Sequence, residues 1–221
     1  MNNNKGRSNP PSNNTAMEYR DLQISEKIER VRQYRPYSDE RRYMACYLIA
    51  LRQGNKQVTE EYESFGDSPR QIIMNRRAYD QGLLFGFTEK HFSSYGWLQN
   101  STFTEREEIK FIHKQGWAAT NHLTIGRGNN GKWTYGVSLS TGSWGQCFGL
   151  GVWGKIFDNR KECLKAALQE ILDGHREAAE KLKNDTCGNF NIQYSKEVVR
   201  QVKDAYDRLT GRKAVQLDLF Q

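Results

Sequence analysis

The stretch HLTIGRGNNGKWTYGVSLSTGSWGQCFGLGVWGKIF, which begins at His122, constrains the fold more than any other part of the chain. Short alternating or β-prone runs are broken by turn dipeptides. Asn130-Gly131 is the strongest of these, because a tight two-residue hairpin turn needs positive φ at both central positions. Three antiparallel strands are expected here. They run directly into DNRKECLKAALQEILDGHREAAEKLK, where Leu164, Ala167, Leu168 and Ile171 recur at helical spacing. That apolar stripe can cover one face of the sheet. A three-stranded sheet backed by a helix is predicted for residues 117–183. A further helix follows from Ser195, packed through Val198, Val199, Val202, Tyr206 and Leu209 and ending near Gly211.

The same stretch matches G-x-G-x-x-G twice, at Gly126, Gly128 and Gly131 and again at Gly149, Gly151 and Gly154. In dinucleotide-binding proteins this fingerprint joins a strand to the helix N-terminus that receives the pyrophosphate. Neither copy stands in that position, so both are assigned to turns and close sheet packing, and no cofactor is expected. Trp133, Tyr135, Trp144, Phe148 and Trp153 would stack on unpaired bases if they lay on an uncovered sheet face. A core under the helix accounts for them more simply.

The first part of the chain has helical periodicity. Residues 1–16, rich in Asn, Ser and Pro, have almost nothing to bury and are predicted to be a disordered leader. A module follows over residues 17–116. Ile24, Ile28 and Val31 share one face of a first helix, which Arg35 before Pro36 discourages from continuing. Ser38 can cap a second helix, with Met44, Tyr47, Leu48 and Leu51 on one face and Gly54 as a stop. A short helix from Thr59, a turn at Gly66-Asp67 and a longer helix come next, the last capped by Ser68 with Pro69 at its first position. STFTEREEIKFIHKQGW predicts one more helix, with Thr104 as cap, an acidic first turn and Gly116 as its C-terminal stop.

The order of short helix, turn and longer helix within residues 38–90, closing on YDQGLLFGF as if into a hairpin, resembles a winged helix-turn-helix DNA-binding domain. The resemblance makes the helix from Pro69 a recognition helix. Packed through Ile72, Ile73 and Tyr79, it would offer Arg70, Gln71, Asn75, Arg76 and Arg77 to phosphates and base edges. Arginine suits this role because its fork contacts guanine or phosphate bidentately. A small helical bundle with an ordinary solvated basic face is the alternative. The balance of 33 Lys and Arg against 26 Asp and Glu, a net +7, suits a polyanionic partner.

Beyond Gly211 the chain reads RKAVQLDLFQ. Gln216, Leu217, Asp218, Leu219 and Phe220 closely resemble the pentapeptide by which bacterial polymerases, repair proteins and many mobile-element proteins bind the replicative sliding clamp. The pattern is Gln-Leu-(Ser/Asp)-Leu-Phe, and every position is matched. The resemblance implies that Gln216 makes polar contacts at a groove entrance, that Leu217, Leu219 and Phe220 fill an apolar pocket, and that Asp218 faces solvent. Residues 212–221 are therefore expected to be a flexible, clamp-binding tail. The competing expectation is a closing strand docked on the chain's own helices.

Other classes gain little. No apolar run approaches the ~20 residues that cross a bilayer, and no charged n-region precedes an apolar h-region, so a cytoplasmic protein without a membrane partner is expected. The four cysteines, Cys46, Cys147, Cys163 and Cys187, include no C-x-x-C pair and are expected to be reduced, mostly buried thiols. His91, His113, His122 and His175 fall in different elements without metal-ligand spacing, and there is no nucleophile elbow or Walker loop. Glu105, Glu107 and Glu108 are assigned to a helix dipole. No catalytic or metal-binding residue is assigned.

The expectation is an α+β protein: a helical module, a small three-stranded antiparallel sheet with a covering helix and a further helix over residues 117–211, and the tail. Its function would be DNA association with recruitment to the replication clamp, in a bacterial chromosome, phage or plasmid setting. The alternatives are a DNA-acting enzyme or modification accessory brought to forks by the same tail, and a transcriptional regulator.

Overall fold

The computed structural model describes residues 18–99, 101–111, 121–141, 144–181 and 192–211. The fold is α+β and divides into two compact units. One runs to Arg77 and takes in Ser94–Trp97; the other comprises Ala78–Ser93 and the chain from Leu98 onward.

The first unit is helical. Helix α1 (Ile24–Gln33) opens on a reciprocal capping box between Gln23 and Glu26 and stops ahead of Pro36. Helix α2 (Arg41–Gln53) starts later than a Ser38 cap would place it, because the backbone first turns, with Glu40 N–H donating to Tyr37 O at 3.1 Å. Gly54, at φ 62°, ends it as expected. Helix α3 (Lys56–Glu63) begins earlier than Thr59, since the Asn55 side chain accepts from Val58 N and caps it. Helix α4 (Pro69–Leu83) has the predicted start, with Ser68 Oγ accepting from Gln71 N at 3.3 Å; its residues through Arg77 belong to this unit.

Tyr19, Leu22, Val31, Tyr47, Leu51, Tyr62 and Ile72 make the core of the first unit. Beside them lies an ion pair that periodicity does not disclose. Lys27 Nζ donates to both Glu63 oxygens at 2.8 and 3.0 Å, and the Tyr47 hydroxyl donates to Glu63 Oε1 at 2.9 Å. Tyr47 has then used its proton, so Tyr19 is the donor in their 3.2 Å contact. Burial pushes the Tyr19 phenol up to about 12 and Tyr47 higher still, which keeps both protonated as donors.

The second unit is built on one antiparallel sheet of order β1-β2-β3-β4, formed by β1 (Thr104–Phe111), β2 (Asn121–Arg127), β3 (Trp133–Ser140) and β4 (Gly145–Phe148). Helices α5 (Arg160–Lys181) and α6 (Ile192–Thr210) follow. Leu123, Ile125, Tyr135, Val137 and Leu139 pack against Leu164, Ala167, Leu168 and Ile171 of α5 and Val198 and Val202 of α6. This is the sheet-and-covering-helix arrangement expected, with one strand more.

The extra strand is β1, where a helix from Thr104 was expected. Its glutamates are paired across the fold: Glu105 with Arg127 and Glu107 with Arg160, each at 2.5 Å, while Ile109 and Phe111 join the core. A bulge between Thr104 and Glu107, with Glu105 at φ 47°, sets the register. Since β1 pairs with β2, residues 104–111 belong to the sheet rather than to a helical module ending at residue 116.

The β2–β3 hairpin turns at Asn130-Gly131, but not as the two-residue turn expected: the loop spans Gly128 to Lys132 between the paired Arg127 and Trp133, and of the two central residues only Gly131 has positive φ. Gly131, at φ 86°, donates to Gly128 O at 3.0 Å, and Gly128 N donates to Lys132 O at 2.8 Å. Gly131→Val is expected to destabilise the second unit by about 1–2 kcal/mol, because a β-branched side chain is forced to positive φ. Thermal melts check this. A variant that melts like the wild type but loses a nucleotide-induced stabilisation would show that the glycines hold a ligand instead.

Candidate nucleic-acid interface

Helical spacing puts Ile72, Asn75, Arg76 and Tyr79 on one stripe, with Ile73 and Arg77 beside it. Ile72 and Ile73 are fully buried, and their neighbours on the helix are drawn inward with them. Asn75 is 3% exposed, and its amide donates to Phe65 O at 2.6 Å and to Gly96 O at 2.7 Å. The Gln71 amide donates to Tyr95 O at 2.9 Å and accepts from Asp67 N at 3.1 Å. Arg76 is ion-paired with Glu61 and lies over the rings of Tyr62 and Phe65, at 5.5 and 5.4 Å from their centroids. Arg77 pairs with Asp39.

The expectation that these side chains all face solvent is therefore corrected for Asn75, which is a core residue. Gln71, Arg76 and Arg77 are engaged within the unit. Arg70 differs. It is exposed, makes no ion pair among the described residues, and lies 5.6 Å from the centroid of the Trp97 ring.

Beside Glu40, also in this unit, Tyr34 and the backbone N–H of Tyr37 donate to the buried carboxylate at 2.7 and 3.0 Å. Burial, and then the Glu40 carboxylate, hold the Tyr34 phenol well above the ordinary range.

Trp97, which meets Arg70, belongs to SSYGW, a segment to which the sequence assigns no role. Gln71 and Asn75 hold the carbonyls of Tyr95 and Gly96, and Gly96 sits at φ 76°. A Cβ there would come within 2.6 Å of Gln71 Nε2. Tyr95 is 79% exposed. The hairpin expected after α4 is reduced to one antiparallel bridge, Phe92 with Leu98. A glycine between two large aromatics was the available signal, since it marks a turn.

The second unit places its other candidates apart. Trp133 and Tyr135 are core residues, whereas Trp144, Phe148 and Trp153 are partly exposed. Gly128 approaches the Phe85 carbonyl so closely that a Cβ would lie 2.4 Å from its oxygen, and a Cβ on Gly154 would lie 2.3 Å from Thr134 Oγ1. Neither G-x-G-x-x-G copy leads into a helix N-terminus, α5 beginning only at Arg160, so turn and packing roles account for these glycines.

His175 is buried between Ser195 and Asn121. Its Nε2 faces Asn121 Oδ1 at 3.2 Å and its Nδ1 faces Ser195 Oγ at 2.8 Å. An amide oxygen only accepts, so Nε2 carries the proton and the serine hydroxyl donates to Nδ1. Burial lowers the imidazole pKa to about 4. Serine, histidine and asparagine in a chain suggest hydrolytic chemistry, but all three are at most 5% exposed. No substrate reaches them, and the network serves to satisfy buried polar groups.

Among the described residues, no group of three or more His, Cys, Asp and Glu side chains is placed to hold a metal ion. Cys163 is buried, with its thiol pushed up to about 12 by that burial; Cys46 and Cys147 are exposed, against the expectation of mostly buried thiols. Among the described residues no helix is long and apolar enough to cross a membrane. Helix α6 ends at Thr210 with Gly211 at φ 77°, and the clamp-like pentapeptide, Gln216 to Phe220, lies outside the described residues. Compared with protein-family models, characterised proteins and solved structures, the chain matches none.

Proposed function

We propose that this chain is a DNA-associated protein recruited to the bacterial replicative sliding clamp through residues 216–220. The observation that carries the proposal is the complete pentapeptide, Gln216, Leu217, Asp218, Leu219 and Phe220, placed just after the helix stop at Gly211. A match at every position arises by chance in roughly one chain in a few thousand at ordinary residue frequencies. DNA association is supported by the net charge of +7 and by Arg70, an exposed guanidinium without an acidic partner among the described residues.

A short segment that orders on binding gives up ~2–5 kcal/mol of its gross interaction energy, so a single contact of ~micromolar affinity is expected. Fluorescence anisotropy with the full chain and a purified bacterial clamp tests this. Leu219→Ala with Phe220→Ala should raise Kd at least tenfold by removing apolar burial, roughly 1.4 kcal/mol or more. Asp218→Ser should bind like the wild type, and the melting temperature should not change in either variant. No binding by the intact protein, or equal binding by the alanine variant, would overturn the clamp assignment. A large drop in melting temperature for the alanine variant would place these side chains in the protein's own core.

A further inference from the structure

We infer that Arg70, Tyr95 and Trp97 form a stacking platform for unpaired bases, so that the nucleic acid bound by the first unit is single-stranded; this rests on the proposal that the chain binds nucleic acid. Asn75 is 3% exposed in the middle of α4, and Gln71 lies one turn before it; together they bind two successive backbone carbonyls of one loop, Tyr95 O and Gly96 O. The loop is thereby fixed while the Tyr95 side chain is 79% exposed. A phenol ring this exposed buries little surface on folding, and the fixed backbone means little ordering cost is left when something stacks on it.

The chemistry identifies the occupant. The Arg70 guanidinium lies 5.6 Å from the Trp97 ring centroid and has no carboxylate partner among the described residues, so it offers both a planar cation and a phosphate contact. Aromatic faces with an unpaired arginine are the groups that hold a nucleic-acid strand whose bases are splayed out. A duplex presents base edges and phosphates, not faces. Reading its groove would need the other polar side chains of α4, but Asn75 is buried and Gln71, Arg76 and Arg77 are engaged with protein groups.

The test uses the full chain in anisotropy titrations against a fluorescein-labelled oligothymidylate and a labelled duplex hairpin. The wild type should favour the single strand. Tyr95→Ala and Arg70→Ala should each weaken that binding about tenfold, Tyr95→Phe should restore it, and Arg70→Ala alone should lower the slope of log K against log salt by about one. Melting temperatures should be unchanged, because Gln71 and Asn75 hold backbone atoms that these substitutions leave in place. Preferential duplex binding, or unchanged affinity in both alanine variants, would overturn the platform while leaving DNA association standing. Binding to neither probe would overturn DNA association itself and the platform with it.

Discussion

Replacing Lys27 with methionine is expected to destabilise the first unit by about 3–5 kcal/mol, the usual result of removing one partner from a buried ion pair. The Lys27 and Glu63 side chains are 9% and 11% exposed, so water cannot replace the lost ammonium. Glu63 would keep only the hydrogen bond from Tyr47 at 2.9 Å. The net worth of the intact pair is a separate quantity, because desolvating both charges offsets most of their attraction. The double variant Lys27→Met, Glu63→Gln should therefore recover most of the loss, since the amide oxygen still accepts from Tyr47 and no charge is left alone. Denaturant unfolding followed by hydrogen exchange at α1 and α2 amides measures both. A single variant within ~0.5 kcal/mol of the wild type would mean that Glu63 reaches solvent or another cation.

That pair shows where sequence patterns stop being informative. Val31, Tyr47, Leu51 and Ile72 are core residues, and their spacing foretells it. Lys27 and Glu63 are 36 positions apart on different helices, and nothing local marks either as buried. Residues 104–111 fail for a related reason. Glutamates are good helix formers and suit a helix N-terminus, but these ones sit on an edge strand, where charge is also favoured, and find arginines from β2 and α5. Tertiary pairing outweighs a local preference worth a few tenths of a kcal/mol per residue. The weaker cue, Ile109 and Phe111 alternating with the polar Glu108 and Lys110, had the correct period.

The interface was legible in part for a different reason. The cap, first turn and apolar stripe of α4 follow from Ser68, Pro69, Ile72 and Ile73. Spacing alone also puts Asn75 and Arg76 on the Ile72 stripe, three and four residues on, so their inward placement could have been derived. Charge and polarity argued for solvent, and the helical period argued against it. The period prevailed, because Asn75 finds two carbonyl acceptors and Arg76 finds Glu61 and two aromatic rings. Tyr95 and Trp97 escaped notice because a loop has no period to read.

The second unit should lose stability as the solution is acidified from near-neutral pH, and His175 gives the loss its size and direction. In the folded chain its pKa is lowered to about 4 by burial, whereas an unfolded histidine titrates near 6.5. The unfolded state thus takes up the proton first. Stability is complete above pH 6.5, falls as pH drops toward 4, and loses nothing further from this group below that. The gap, at about 1.4 kcal/mol per pH unit, amounts to roughly 3 kcal/mol. Burial is what resists protonation; the added proton would go to Nδ1, where Ser195 Oγ would have to reverse its hydrogen bond, while the Nε2–H bond to Asn121 Oδ1 stays as it is. His175→Gln removes the titrating group but can still bond one of its neighbours. It should be less stable than the wild type at pH 7.5, by ~1–2 kcal/mol for the partner left unsatisfied, yet change much less between pH 7.5 and 4.5. Urea unfolding across that range, read from hydrogen exchange at α5 amides, distinguishes the two proteins. Parallel curves for wild type and variant would assign the acid loss to other groups and would mean that the buried imidazole already exchanges protons with solvent.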